Sequence, residues 1–172
     1  FSFAQSLVIG SKRFTESYIL SEIFSQAIIN AGNGPVIQKS GLGNTGILLS
    51  ALTSGEIDLY PEYTGTISKE ILKSDRVLSL EEINSRLTPL GLEAGVLLGF
   101  SNSYALAIRQ DLADRLEIRS ISDLQKHPEL VFGLSHEFIG RSDGWKGLSS
   151  QYRLNNFSPR GLDHGIAYEA IS

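Results

Sequence analysis

Residues 55–66 read GEIDLYPEYTGT. Ile57 to Tyr60 makes a short apolar strand that runs into Pro61, and Thr64-Gly65-Thr66 supplies the residues to open a helix. Between them stand two tyrosines and a carboxylate, Tyr60, Glu62 and Tyr63. Aromatic faces at the mouth of a strand, beside hydroxyls and the N–H groups of a helix start, suit a small charged organic ligand. No nucleophile–base pair is visible there, so the stretch reads as a place of capture rather than chemistry.

Upstream, Leu7-Val8-Ile9 is a short strand ending at Gly10, followed by the polar turn Ser11 to Glu16. Thr15 is the expected N-cap, with Glu16 at the positive end of the helix dipole. Leu20, Ile23, Phe24, Ala27 and Ile28 recur at helical spacing, which predicts an amphipathic helix over 16–31, stopped by Gly32 and Gly34. Val36 to Lys39 is a second strand. The loop GLGNTG at 41–46 leads into a helix over 47–52. Strand, helix, strand, helix, strand in this order predicts a parallel sheet with crossover helices. Ligands in such sheets bind beyond the carboxyl ends of the strands. Those ends are the loops at 11–16, 40–45 and 61–66, all rich in hydroxyl, glycine and charged residues, so the loops converge on a candidate site, with Asn44, Thr45 and Tyr63 as candidate ligand-binding residues.

Downstream, helices are expected near 67–73 and 80–88, and strands at 96–100 and 103–109. A second alternation follows: a helix near 121–127, a strand at 130–133, a loop at 135–143, a helix at 145–152 and another beginning near 165. A last helix that feeds no further strand predicts an α/β lobe left unfinished at Ser172.

Of the 172 residues, 41% are hydrophobic and 20% charged, enough for one domain or two small lobes. The net charge of −4 with no basic stripe argues against nucleic acid as a main partner. Cysteine is absent, which excludes disulfides, thiolate metal sites and a Cys nucleophile. His127, His136 and His164 lack metal-motif spacing, and no cofactor is expected. No apolar run is long enough to span a membrane. Phe1-Ser2-Phe3-Ala4 reads either as the tail of a signal peptide or as a frayed terminus.

Other motifs favour bland readings. The 41–46 loop lacks the Lys-Ser/Thr pair of a P-loop and the third glycine of a dinucleotide fingerprint. It reads as a turn before a helix that lines a polar cleft. Glu56, Asp58 and Glu62 read as solvated charge rather than paired hydrolytic carboxylates. Ser135-His136-Glu137 holds the residue types of a triad, but neighbours in sequence cannot easily face one another that way, and no G-x-S-x-G elbow is present. An enzyme is not expected. Tyr63 and Tyr104 fall at the expected mouths of different sheet segments, where rings over a desolvated cation contribute about 0.5–2 kcal/mol each.

IGSKRFTES, GLGNTGILLSALTSGEIDLYPEYTGT, NSYALAI, SHEFIGRSDGWKGL and GLDHGIAYEAI together resemble the substrate-binding proteins of osmoprotectant ABC importers, the binders of glycine betaine, carnitine and choline. The resemblance runs from Leu7 to Ile171. It implies a type II periplasmic-binding-protein fold of two α/β lobes: lobe one over 7–101, partial lobe two over 102–172, and a signal-peptide remnant or frayed end over 1–6. It implies an extracytoplasmic protein that catalyses no reaction and holds its ligand in an interlobe cleft. That protein would deliver its ligand to a membrane permease. Tyr63 and Tyr104 match two walls of an aromatic cage, Thr66 a polar position that helps set ligand choice, and Lys12 a position that is glutamine in some betaine binders. Two departures stand out. Lys12 would repel a quaternary ammonium unless it turns outward or pairs with a ligand carboxylate, which disfavours choline more than betaine or carnitine. The later segments that complete the cage and return to lobe one have no counterpart here, so weak binding and self-association through an open sheet edge are expected. A binding domain fused to a permease, and a binder of another zwitterion such as an ergothioneine-like betaine, stay open as alternatives.

Overall fold

The computed structural model describes residues 6–171. Phe1–Ala4, read above as a signal remnant or frayed end, lies outside them. The chain divides into two compact units between Leu97 and Leu98.

The first unit is built on parallel strands β1 (Leu7–Lys12) and β2 (Val36–Gly43). Leu7 pairs with Val36 and Gly10 with Lys39, but Lys12 then pairs with Gly43. The extra residues bulge out of β2, where Gly41 takes a φ of 67° that glycine adopts without strain. The Gly41 N–H donates to Ser11 Oγ at 3.0 Å. Residues 57–60 run beside β1 on its other side. They make one parallel bridge, Ile9 to Leu59, with Asp58 N donating to Val8 O at 2.8 Å and Gly10 N to Leu59 O at 2.9 Å. The expected third strand is therefore reduced to a single bridge. Gly10 is needed there: a Cβ would stand 2.7 Å from Ile57 Cδ1 and 2.9 Å from Leu48 Cδ1.

Helix α1 (Thr15–Asn30) crosses from β1 to β2, and α2 (Thr45–Thr53) follows β2. The N-cap of α1 is Phe14 without a side-chain cap, not Thr15, which is the first helical residue. Ser17, in the first turn, instead ties the helix to the end of β1, its Oγ accepting from Lys12 N at 2.9 Å. The buried face of α1 also departs from the pattern. Ser17, Ser21 and Ser25 are its fully buried residues, whereas Ile19, Ile23 and Ile29 are exposed. Leu20, Phe24 and Ile28 are half-buried. The small hydroxymethyl groups let the helix lie close to the sheet, and their hydroxyls are satisfied within the turn, Ser21 Oγ donating to Tyr18 O and Ser25 Oγ to Ser21 O. Helix α2 contributes Leu48 and Ala51 to a core with Ile57, packed by Val8, Leu42 and Tyr60.

A short helical turn, α3 (Thr64–Thr66), runs directly into a wider π turn at Ile67–Ile71. Then α4 (Leu80–Leu87) starts with a full capping box between Ser79 and Glu82. Ile67, Leu78, Ile83 and Leu87 form a second cluster. Ser68 Oγ ties it to the π turn, accepting from Leu78 N at 2.9 Å and donating to Thr64 O at 2.7 Å.

The expected strands at 96–100 and 103–109 are not formed. Residues 91–109 hold no helix or strand, and Val96, Leu97 and Phe100 are exposed. Extended residues become a strand only against a partner's ladder, and no described segment supplies one.

The second unit contains α5 (Gln110–Arg115), a 3-10 turn at Ile121–Lys126, β3 (Gly133–Ser135), α6 (His136–Gly140), α7 (Trp145–Gln151), β4 (Arg160–Leu162) and α8 (His164–Ala170). Strands β3 and β4 pair in parallel, Gly133 with Arg160 and Ser135 with Leu162. The strand expected at 130–133 thus lies a few residues later. The expected loop at 135–143 contains α6, capped by Ser135 Oγ, which accepts from Phe138 N at 3.2 Å. The core joins Leu134, Phe138, Trp145, Leu154 and Phe157 with Ala113, Ile118 and Leu124. No helix among the described residues is long and apolar enough to cross a membrane.

Candidate functional site

The carboxyl ends of β1, β2 and the 57–60 segment bring the three polar loops of the first unit together. Lys12, the last residue of β1, is aimed at Glu62: Nζ to Oε1 is 2.7 Å, with the side chains 3% and 6% exposed. Lys12 therefore does not turn outward, and Glu62 is not solvated charge. The proline that ends the preceding segment turns the chain, so that Glu62 faces inward instead of continuing an alternation. The carboxylate is held further by Thr45, whose Oγ1 stands 3.4 Å from Oε2, and by the Tyr63 N–H, which donates to Oε1 at 2.9 Å. Thr45 is buried as the first residue of α2.

Tyr63 is gripped at both ends. Its hydroxyl donates to Glu16 Oε1 at 2.6 Å, and its ring stacks on Phe14 with centroids 6.4 Å apart and planes at 27°. The Lys12 ammonium lies 6.0 Å from the ring centroid. Thr66 is buried in α3, one turn beyond. Asn44 does a different task from the one its position implied: its Oδ1 accepts from Ile47 N at 3.2 Å and caps α2. Five of the six predicted site residues thus belong to the first unit, with Lys12, Thr45 and Tyr63 joined through Glu62. Glu16, Phe14 and Glu62 are the members that sequence reasoning missed or set aside. Their signal was proximity to the strand ends in the same three loops.

Tyr104, the sixth, belongs to the second unit. It lies outside regular structure and is exposed, yet its ring is fixed. Phe138 packs on it with centroids 4.6 Å apart, and the Arg141 guanidinium stands 6.0 Å from its centroid. Arg141 is buried and forked onto Asp143, Nε to Oδ1 and Nη2 to Oδ2 both at 2.8 Å, with Glu137 at 4.0 Å. A planar guanidinium presents two parallel donors and a face to the ring at once. This Arg–Asp fork lies in RSDGW at 141–145.

Nothing in the arrangement resembles an acid–base or nucleophilic centre. Ser135 is spent as a cap, and among the described residues no three His, Cys, Asp or Glu side chains converge on a metal position.

Comparison with known proteins gives a consistent picture. Residues 5–172 match the family described as the substrate binding domain of ABC-type glycine betaine transport system. An ergothioneine transport permease/ergothioneine binding protein, EgtU of Helicobacter pylori, is 35% identical over 96% of this chain and 31% of its own length. A glycine-betaine-binding protein of Pseudomonas aeruginosa is 33% identical over 98% of this chain and 58% of its own. The chain thus spans about a third to somewhat over half of these relatives. Among solved structures, apo YehZ from Escherichia coli superposes with a TM-score of 0.56 at 26% identity, covering 97% of this chain and 65% of that one. A structure titled glycine betaine/carnitine/choline ABC transporter superposes at 0.60 with 22% identity over 97% and 64%, a likeness of fold.

Proposed function

As the chain belongs to the family of substrate-binding domains of ABC-type glycine betaine transport systems, we propose that it captures a small quaternary amine outside the cytoplasm for delivery to a membrane permease. The family is one of transport binding domains, not of enzymes. The observation that carries the proposal is Tyr63: an aromatic ring beside the strand ends, stacked on Phe14 and anchored by Glu16 and Glu62. A ring held so rigidly loses little freedom when a cation settles on its face. In this reading Tyr104, its ring fixed by Phe138 and Arg141, is a second aromatic wall. Thr66 is the polar selector, Thr45 and Lys12 set the polar floor with Glu62, and Asn44 shapes that floor through its cap.

A second ligand class is favoured by one specific finding. The 35% identical relative bears the name of an ergothioneine permease and binding protein, and the part matched is 31% of it. A betaine of that kind, and a binding domain continuous with its permease, form the alternative reading. Isothermal titration of the full-length protein with glycine betaine, carnitine, choline and ergothioneine decides between them. A micromolar or tighter constant for an aliphatic amine supports the first reading, and one for ergothioneine alone supports the second. Binding of none of the four refutes both.

A further inference from the structure

Lys12 and Glu62 end two neighbouring segments, and both side chains are removed from water. An ammonium in such a place is strongly disfavoured without a counter-charge, and the Glu62 carboxylate at 2.7 Å supplies it. The same carboxylate oxygen accepts the Tyr63 N–H, and its partner oxygen faces Thr45 Oγ1. One group therefore anchors the backbone of the aromatic residue and cancels the charge 6.0 Å from its ring centroid. Without it, a cation resting on Tyr63 would meet Lys12 as a like charge in a poorly screened setting.

We propose that Glu62 is a specificity-determining residue. By balancing Lys12 it cancels the ammonium's charge beside Tyr63, whose hydroxyl end already meets the Glu16 carboxylate, and this balance decides how strongly the protein prefers quaternary ammonium ligands that carry a carboxylate over those that do not. The inference rests on the reading of Tyr63 as a cation-binding wall. If the carboxylate charge is removed, the buried ammonium is left uncompensated. A ligand carboxylate then becomes its counter-ion, and a ligand lacking one is repelled. If the ammonium is removed instead, the residual negative charge favours the plain cation.

Glycine betaine and choline separate these cases, because they share a trimethylammonium group and differ in ending on a carboxylate or a hydroxyl. The test is calorimetric titration of the full-length protein with both, for the unsubstituted protein, Glu62→Gln, Lys12→Gln and the double variant. Glu62→Gln is expected to shift the affinity ratio toward glycine betaine by roughly tenfold or more, and Lys12→Gln to shift it toward choline. The double variant, with both charges gone, is expected to bring the ratio back to within about threefold of the starting value. Should Glu62→Gln fail to fold, the opposite shift in Lys12→Gln and the restored ratio in the double variant still decide the matter. Equal losses for both ligands, or shifts in the same direction in the two single variants, overturn the proposal. Intact binding with an unchanged ratio overturns this inference alone. Absence of binding by both ligands to the unsubstituted protein overturns the functional reading and this inference with it.

Discussion

Replacing Tyr63 by Phe keeps the ring and its stack on Phe14 but deletes the hydroxyl that donates to Glu16. A charge-assisted hydrogen bond of this kind contributes about 1.5–3 kcal/mol when formed in a protected setting, part of which reaches the ligand through ring orientation. Tyr63→Phe in the full-length protein is therefore expected to weaken quaternary-amine binding by roughly three- to tenfold, and Tyr63→Ala by more, as measured by titration calorimetry. Arg141 makes a matching case in the second unit. Arg141→Lys keeps the charge but loses the fork onto Asp143 and the flat face toward Tyr104. It is expected to destabilise the second unit by about 1–3 kcal/mol, read from urea denaturation. At this scale the sequence was partly legible. Tyr63 and Thr45 were singled out from their places at strand ends, and Lys12 through the family resemblance. Glu62 was misjudged because a carboxylate after a proline carries no periodic signal of burial, and only the folded turn shows that Lys12 meets it.

Helix α4 shows what a short element needs in order to form. Its eight residues are too few to be stable alone, so its start is fastened: Ser79 Oγ accepts from Glu82 N, and Glu82 Oε2 accepts from Ser79 N at 2.9 Å. Arg76 binds the same carboxylate, and together with the Ser79 N–H it holds the Glu82 carboxyl down to about 2 from an ordinary 4.5. A folded-state value below the unfolded one stabilises the helix when the group is ionised. That contribution is complete above about pH 4.5 and is lost as pH falls toward about 2. Acid titration followed by circular dichroism should show helix loss in this window for the parent and a diminished loss for Glu82→Gln. Ser79→Ala should lower stability at neutral pH by about 1 kcal/mol. The start of α4 follows from the S-x-x-E spacing, and the helix was anticipated. The strands at 96–100 and 103–109 were not realised. Their apolar runs have strand composition, but pairing is a property of two segments, and no single run encodes its partner.

The molecule has one tryptophan, Trp145, in the core of the second unit, packed on Phe132 with centroids 5.0 Å apart. Its fluorescence therefore reports the second unit alone. Leu154→Ala, which empties a fully buried position of that core, is expected to cost about 2–5 kcal/mol and to move the fluorescence transition. Leu48→Ala makes an equal void in the first unit, and its effect should fall mainly on the circular dichroism signal. Coincident transitions in both variants would show that the two units unfold as one. The alternation of strands and helices gave the class of fold at this scale, because crossover connections leave a repeating signature. The boundary between Leu97 and Leu98 falls in a stretch without regular structure, where no periodicity marks it.

The serine face of α1 has a consequence for anyone engineering this protein. A scheme that raises stability by trading buried hydroxyls for hydrocarbon would choose Ser17, Ser21 and Ser25 first, and would turn the exposed isoleucines polar. Each larger side chain would wedge the helix off the sheet. Ser17 would release the Lys12 amide, and the shifted first turn would carry Glu16 away from the Tyr63 hydroxyl. A change made for thermal robustness would then loosen the setting of Tyr63 by lever action through a single helix.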